Sequence, residues 1–237
     1  MSQATEQPLG ETLDFKPAAR PERRELRGRH VTVRPLNPAA DVGRLYVLSH
    51  EPSGDPTIWT YLYEGPHASV EEFHRDLEIK AGSDDPLFFV ITDASDGRPL
   101  GLLSYLAIVP EHGTIEIGHI WFGPELKRTP AATEAIFLVA AHAFDDLGYR
   151  RLEWKCNALN ATSRAAAERF GFVFEGVFLQ HRVVKGRNRD TAWYAITDKR
   201  WPYVREAFQS WLSPENFEPD GQQRRSLRSL TANIHAT

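Results

Sequence analysis

The spacing of apolar and polar residues changes from strand-like alternation to helical periodicity several times along the chain. Residues 30–34 alternate and predict a first strand, and Asn37 then opens a helix. Ser69 is a typical N-cap, and Glu72, three residues later, completes a capping box for a second helix. The pattern therefore predicts one strand followed by two helices.

The middle of the chain alternates more strongly. Residues 87–92, 100–109 and 115–122 read as strands, and the turn signals between them include Asp96-Gly97. Three strands joined by short turns predict an antiparallel meander.

Helices and strands follow one another in the second half. A helix is expected over 130–147, a strand over 151–156, a helix over 160–170, a hairpin of strands 172–180 and 190–197, and a last helix capped by Asp198. The strand at 151–156 follows a helix, so we expect it to pair in parallel with 115–122. The predicted fold class is α/β (α+β), with a mixed, mostly antiparallel sheet flanked by helices.

The ends of the chain lack this periodicity. We therefore expect a flexible N-terminal arm or wrapping strap over 1–27, one folded domain over 28–213 and a C-terminal tail over 214–237, of which residues 219–237 are polar and expected to be frayed.

Composition narrows the class of protein. A net charge of −4 over 237 residues argues against a nucleic-acid binder that works by charge alone. One cysteine, Cys156, excludes an internal disulfide and a cysteine-based metal cluster, and it is expected to be a buried core thiol. No apolar run approaches the ~18 residues of a membrane span, and no signal peptide is visible. We expect a cytoplasmic protein with no membrane partner.

A basic turn precedes the long central helix. Thr129 is a plausible N-cap and Pro130 suits the first helical position, so the next backbone N–H groups are free to meet an anion. The predicted phosphate contacts are Lys127, Arg128, Thr129, Ala131, Ala132 and Thr133. The alternative is a normally capped helix with two solvated cations.

A second polar pair stands at the start of the helix at 160–170. Asn160 caps that helix in the simpler interpretation, with Ser163 in its first turn. In the functional interpretation, both side chains face a crevice, where Asn160 binds an amide-bearing ligand and Ser163 donates a proton to a leaving group.

Together these segments resemble the ribosomal-protein N-terminal acetyltransferase (Rim-type) branch of the GNAT superfamily. The resemblance spans roughly residues 28–200. It rests on Lys127-Arg-Thr-Pro130-Ala-Ala132, on Asn160-x-x-Ser163 with Gly171-Phe172, and on the strand Glu116-Ile-Gly118-His-Ile-Trp121. Lys127 stands where the family has Arg or Gln, and Pro130 replaces a glycine and removes one N–H donor.

The resemblance implies direct transfer of an acetyl or other short acyl group from acetyl-CoA to a primary amine, without a metal. The acceptor is a protein N-terminus or a small molecule. The family strand splays from its neighbour, and backbone N–H groups of Ile120, Trp121 and Phe122 are candidates to bind the carbonyl oxygen. Ser163 is the candidate acid. Glu116 is the preferred base and His119 the second, on opposite faces of the strand unless a bulge intervenes.

The residues that would bind the acceptor are less clearly indicated by the sequence. Trp59, Tyr61 and Tyr63 are expected to wall the acceptor pocket, with Glu175 as a further substrate-side residue and third candidate base. The alternative is that the aromatics only pin their loop to the core. The basic hairpin turn, with Arg182, Lys185, Arg187 and Arg189, could attract an anionic acceptor, and the alternative is that it is solvated, as such turns usually are. An aromatic C-terminal helix, with Trp201, Trp211 and Phe217, predicts a homodimer. The competing function is a non-catalytic coenzyme A-binding or regulatory module, which Pro130 favours.

Overall fold

One eight-stranded sheet runs through the computed structural model, which describes residues 7–232 and 234. The strand order is β1-β2-β3-β4-β5-β6-β8-β7. The strands are β1 (Leu26–Arg27), β2 (Val31–Pro35), β3 (Leu87–Asp93), β4 (Pro99–Val109), β5 (Thr114–Phe122), β6 (Arg151–Asn157), β7 (Val173–Val184) and β8 (Arg187–Thr197). Among the strands of the described residues, β5 and β6 alone pair in parallel. The predicted mixed, mostly antiparallel sheet is confirmed.

Helices cover both faces of the sheet. They are α1 (Pro38–Ser49), α2 (Val70–Gly82), α3 (Pro130–Ala141), α4 (Ala161–Arg169), α5 (Trp201–Leu212) and α6 (Leu227–Ala232). On one face, Leu45 of α1 and Phe73 of α2 pack against Phe88 and Leu102 of the sheet. The larger core lies on the other face, where α3, α4 and α5 cover the sheet. The sheet is therefore buried on both sides over its middle strands.

The parallel pair β5–β6 is short. Its register joins Thr114 to Arg151 and Glu116 to Glu153, three residue pairs in all, and the strands then run on without pairing. On its other side, β5 shifts register against β4 between Leu102 and Ser104, and His119 adopts a left-handed φ of 49°. This β-bulge increases local twist and bends β5 away from β6. A gap opens in the middle of the sheet as a result.

A buried carboxylate ties α3 to the start of the sheet. Glu134 accepts hydrogen bonds from the backbone N–H groups of Arg29 (2.9 Å), His30 (2.6 Å) and Val31 (3.0 Å). A Cβ atom at Gly28 would lie 2.4 Å from a Glu134 oxygen, so this approach requires glycine. Glu134 thereby fixes the helix that begins at the basic turn.

The ends of the chain are more ordered than their composition predicts. Leu26–Arg27 pairs with β2, and the Ala18 N–H donates to the Pro110 carbonyl. At the other end, Leu227 is fully buried beside α5, in place of a frayed tail. The predicted boundaries of arm and tail stay predictions, and their residues 1–6, 233 and 235–237 lie outside the described part.

Two helix ends also differ from expectation. The helix predicted over 130–147 widens into a π-helical turn at His142–Asp146 before Gly148. Asp198 does not cap α5, because the helix begins three residues later, with Arg200 at the N-cap and no side-chain cap bond. No helix of the described chain combines the length and apolar character needed to cross a membrane.

We expect Glu134→Ala to lower the free energy of unfolding by about 2–4 kcal/mol, because three backbone donors lose a charged acceptor. Chemical denaturation measures the change. Glu134→Gln keeps one acceptor oxygen and should lose about half as much. Equal stability of Glu134→Ala and the wild type would contradict the role of this carboxylate.

Candidate active site

The gap between β5 and β6 opens into one continuous cleft of about 1130 Å³. Its walls come from the splayed halves of both strands, the basic turn before α3, the start of α4, the loop before α2 and the C-terminal segment. The predicted site residues that line it are Tyr61, Tyr63, Glu116, His119, Ile120, Trp121, Phe122, Lys127, Arg128, Thr129, Ala132, Thr133, Asn160 and Ser163. Trp59, Ala131 and Glu175 are outside this lining.

The basic turn at the N-terminus of α3 has the predicted cap. Thr129 is the N-cap, with Pro130 following, and its Oγ1 accepts from the Ala132 N–H at 3.2 Å. That bond occupies one of the N–H groups expected to be free for a ligand. Lys127 is also engaged, since its ammonium pairs with Asp55 and helps to lower the pKa of that carboxyl to about 2. Arg128, in a left-handed conformation with φ 63°, lines the cleft beside them.

Ser163 and Asn160 lie on the α4 side of the gap. Asn160 caps α4 by accepting from the Ser163 N–H at 3.0 Å, as the simpler interpretation required. The Ser163 hydroxyl oxygen accepts from the indole N–H of Trp154 at 3.0 Å. Because the indole supplies only a donor, the hydroxyl keeps its own proton to give away. Burial raises the pKa of the neighbouring Cys156 thiol, which keeps it protonated, as expected of a core cysteine.

Glu116 lies on the other side of the gap, in a ladder of charges. Lys155 bridges Glu116 (2.7 Å) and Glu153 (2.6 Å), and Arg151 links Glu153 to Glu175. Burial raises the pKa of Glu116, and Lys155 opposes the shift. Glu116 is therefore held as an ion-pair partner. Glu175 forms the far end of the same ladder, away from the cleft, and this corrects its expected place on the substrate side.

His119 shares the face of Glu116, contrary to simple alternation. The bulge turns its ring toward Ser104, whose Oγ lies 3.0 Å from Nδ1. Ser104 Oγ also lies 3.2 Å from the Gly118 carbonyl; when it donates there, its oxygen accepts from the Nδ1–H tautomer of His119, which has its lone pair on Nε2. Burial lowers the pKa of His119; Glu64 opposes this, and Lys80 adds to it. The imidazole is therefore neutral near pH 7.

Of the aromatic residues in the loop before α2, Trp59 is buried in the core, whereas Tyr61 and Tyr63 line the cleft. Trp59 is only 3% exposed and donates its indole N–H to the Ser49 carbonyl at 2.8 Å. It pins the loop, so its expected place in the acceptor wall is corrected. Tyr61 reaches across the cleft to the Leu159 carbonyl (3.3 Å), and Lys185 of the β7–β8 turn donates to the Trp59 carbonyl (2.7 Å). The aromatic loop and the β7–β8 hairpin together cover one side of the cleft.

Several cleft residues were not anticipated. Arg169 donates to the Thr133 hydroxyl at 3.0 Å and stacks over Trp211, which places a cation beside the basic turn. Lys155 also lines the cleft, and so does Arg189, which belongs to the basic hairpin turn expected either to attract an anion or to be solvated. Residues 217 and 221–223 line the cleft as well, and 221–223 belong to the segment expected to be frayed.

The cleft suits an extended ligand that has polar groups along its length and a negatively charged end. Unpaired backbone of β5 and β6 offers donors and acceptors inside the gap, and cations and helix dipole gather at one end. A hydroxyl donor and a neutral imidazole stand on opposite sides of the gap. Within residues 7–232 and 234, no group of three His, Cys, Asp or Glu side chains is placed to hold a metal ion.

Comparison with known proteins agrees with this geometry. Residues 30–173 match the family model described as an acetyltransferase (GNAT) domain. A crystal structure of a GCN5-related N-acetyltransferase from Brucella melitensis is 46% identical and superposes with a TM-score of 0.88, covering 92% of this chain and 99% of that one. A structure of a probable acetyltransferase of the GNAT family from Chromobacterium violaceum is 38% identical, with a TM-score of 0.76 over 85% and 100% of the two chains.

A curated relative points the same way. The Bacillus subtilis (strain 168) protein named "Putative ribosomal N-acetyltransferase YdaF" is 25% identical over 179 residues, which is 73% of this chain and 93% of that protein. The family and fold expected from the sequence are thereby confirmed.

Proposed function

The chain belongs to the GNAT acetyltransferase family, and on that premise we propose how its cleft carries out acetyl transfer and which groups take part. The family assignment makes the protein an acetyl-CoA-dependent N-acetyltransferase that acts on a primary amine. We propose a protein N-terminus or a small molecule as the acceptor. The observation that carries the mechanism is the gap between β5 and β6, which separates Ser163 from His119.

Acetyl-CoA fits the residues on the α3–α4 side. The unpaired edges of β5 and β6 match the amides of a pantetheine arm, as a third strand would. Arg128 and Arg169 supply cations for the phosphates, and Lys127 adds a third if it leaves Asp55. Pro130 and the capped Ala132 N–H reduce the backbone donors at α3, so side chains carry more of the phosphate binding here.

His119 is the better placed base. Acetyl-CoA supplies the thioester carbon that the acceptor amine attacks, and the ammonium must first lose a proton. In the tautomer with its proton on Nδ1, His119 offers the Nε2 lone pair for that proton, whereas Glu116 is held by Lys155. A lowered pKa keeps the imidazole unprotonated at pH 7, which a base requires. The preference for Glu116 is therefore reversed in this proposal.

Ser163 and the bulged strand complete the proposed chemistry. The Ser163 hydroxyl, held by Trp154, is placed to give its proton to a leaving thiolate. Backbone N–H groups between Ile120 and Phe122 that face the gap are candidates to bind the developing oxyanion. No covalent intermediate on the protein is needed, and buried Cys156 has no role in the transfer.

A second candidate function remains a coenzyme A-binding module without turnover. The specific observation in its favour is the reduced set of N–H donors at α3, where Pro130 and the Thr129 cap remove two. Binding of acetyl-CoA without transfer to any amine would support it. The cytoplasmic setting predicted from the sequence stays a prediction.

We also propose a homodimer, but with an interface other than the C-terminal helix expected from the sequence. Trp201 and Trp211 are buried within the chain, so they are not free to meet a partner. The edge strand β7 instead exposes Phe178, Leu179 and Val183. An apolar, unpaired edge is a ready surface for a second copy.

We expect calorimetric titration to show micromolar binding of acetyl-CoA to the wild type. Lys127→Ala combined with Arg128→Ala should weaken it about 10–100-fold, because two charge-assisted phosphate contacts are lost. Lys199→Ala combined with Arg205→Ala removes the same charge away from the cleft and should bind like the wild type. Undetectable binding to the folded wild type would defeat the proposal.

We expect kcat/KM to fall on acidification with an apparent pKa below 6.5, the ordinary value for histidine, because burial lowers the pKa of His119. His119→Gln should reduce kcat/KM by about 10²–10³-fold and abolish this acid limb. Glu116→Gln should change kcat/KM by less than about tenfold and keep the limb. A limb that disappears in Glu116→Gln and persists in His119→Gln would restore Glu116 as the base.

Light scattering should give twice the chain mass for the wild type. Leu179→Asp combined with Val183→Asp should give the monomer, because burying two carboxylates in an apolar interface costs several kcal/mol. Ile79→Asp, on the exposed side of α2, is the matched control and should leave the mass unchanged. A monomeric wild type would rule out the dimer.

A further inference from the structure

Arg189 is buried without a counter-ion at the cleft. It is 7% exposed, and its Nε is enclosed without a hydrogen-bond partner. No carboxylate of the described chain lies within 4.0 Å of its guanidinium. Lys80, the other buried Lys or Arg among the described residues, is 8% exposed and pairs with both Glu64 and Asp76. Arg189 thus bears a desolvation cost that its surroundings do not offset.

A second arginine makes the arrangement less favourable still. Arg182 lies directly opposite Arg189 across the β7–β8 pair, and like charges in that position destabilise a sheet. Both guanidinium groups lie over the ring of Tyr63, Arg189 at 4.9 Å and Arg182 at 5.7 Å. The ring orients the two cations and adds modest attraction, but it supplies no negative charge.

Arg189 faces the acceptor side of the cleft. It lies on β8 with Trp193 and lines the cleft with His119 and Glu116. Glu116 is paired with Lys155; burial raises the pKa of that carboxyl and the charge of Arg189 helps to lower it, but no ion pair within 4.0 Å joins the two. The phosphate-binding turn belongs to the α3–α4 side, where Arg128 and Arg169 stand. An anion that meets Arg189 therefore belongs to the acceptor.

We propose that Arg189, with Arg182 at the rim, binds a carboxylate carried by the acceptor amine. A planar guanidinium with five donors can bind a carboxylate through two parallel hydrogen bonds. The Tyr63 ring beneath the Arg189 guanidinium keeps that group oriented for such a contact. The carboxylate is either the α-carboxylate of an amino acid or an acidic side chain next to a peptide N-terminus. This inference rests on the proposed function and adds the class of acceptor.

The test is acetyl transfer to matched acceptors that differ only in charge. One set pairs each common amino acid with its carboxamide, and another pairs peptides that carry Asp or Asn at the second residue. The wild type should favour the carboxylate member of at least one set by about 10–100-fold in kcat/KM, and the set that shows this identifies the source. Equal use of both members in every pair overturns the inference and leaves the acetyltransferase function intact.

Variants of the two arginines locate the effect. Arg189→Met should raise the acceptor KM and erase the preference while calorimetric binding of acetyl-CoA is unchanged. Arg189→Lys should recover part of the preference, and Arg182→Gln, at the exposed rim, should reduce it by less than about fivefold. A preference that persists in Arg189→Met overturns the inference. Failure of acetyl-CoA binding in the wild type would instead defeat the underlying function.

Stability supplies a readout independent of turnover. Without acceptor, Arg189→Met should match or exceed the wild type in Tm, because an unpaired buried charge is replaced by an apolar side chain of similar size. The preferred carboxylate acceptor should raise the Tm of the wild type and leave that of Arg189→Met unchanged. A marked loss of Tm in Arg189→Met would assign Arg189 a structural role and overturn the inference.

Discussion

The separation of β5 from β6 after three residue pairs is the constraint on which the rest of the molecule depends. Parallel strands normally continue side by side, because each unpaired N–H and C=O group in a sheet interior is costly. Here the bulge at His119 bends β5 away, and two strand edges are left open in the middle of the sheet. A ligand with its own amide groups restores the missing hydrogen bonds. The fold is therefore complementary to an extended, peptide-like arm before any side chain is considered.

The same divergence determines which charged groups become chemically useful. Where β5 and β6 still pair, Glu116 and Glu153 stand side by side, and Lys155 between them neutralises a repulsion that burial would make severe. Glu116 is thereby held in an ion pair. Beyond the last pair, burial is the largest influence on the pKa of His119 and lowers it, although Glu64 opposes the shift. In the proposed function, one strand thus carries an ion-paired carboxylate and, three residues later, the base.

The sequence was sufficient for the order of elements because each is defined by local signals. Thr129 and Asn160 cap their helices as their residue types predict, and the parallel partner of β5 follows from the intervening helix. The bulge in β5 remained an open alternative in the sequence, since His119 adopts a left-handed backbone conformation that glycine would normally mark. Trp59 was misassigned because aromatic residues in a loop look alike whether they face a core or a ligand.

The roles of cations were equally hidden, since a basic hairpin turn has the same composition whether it is solvated or buried. Burial of Arg189 depends on the distant loop that carries Tyr63, which local patterns do not report. Arg182 and Arg189 also face one another across β7 and β8. His119 and Arg128, which line the cleft, are two of the five described non-glycine residues with a left-handed φ, and each such residue typically costs about 1–3 kcal/mol. Left-handed residues therefore occur outside the cleft as well, and it is the facing arginines whose cost a ligand would offset. In the proposed function the acetyl donor meets the cations near α3, which leaves the arginines of β7 and β8 to the acceptor.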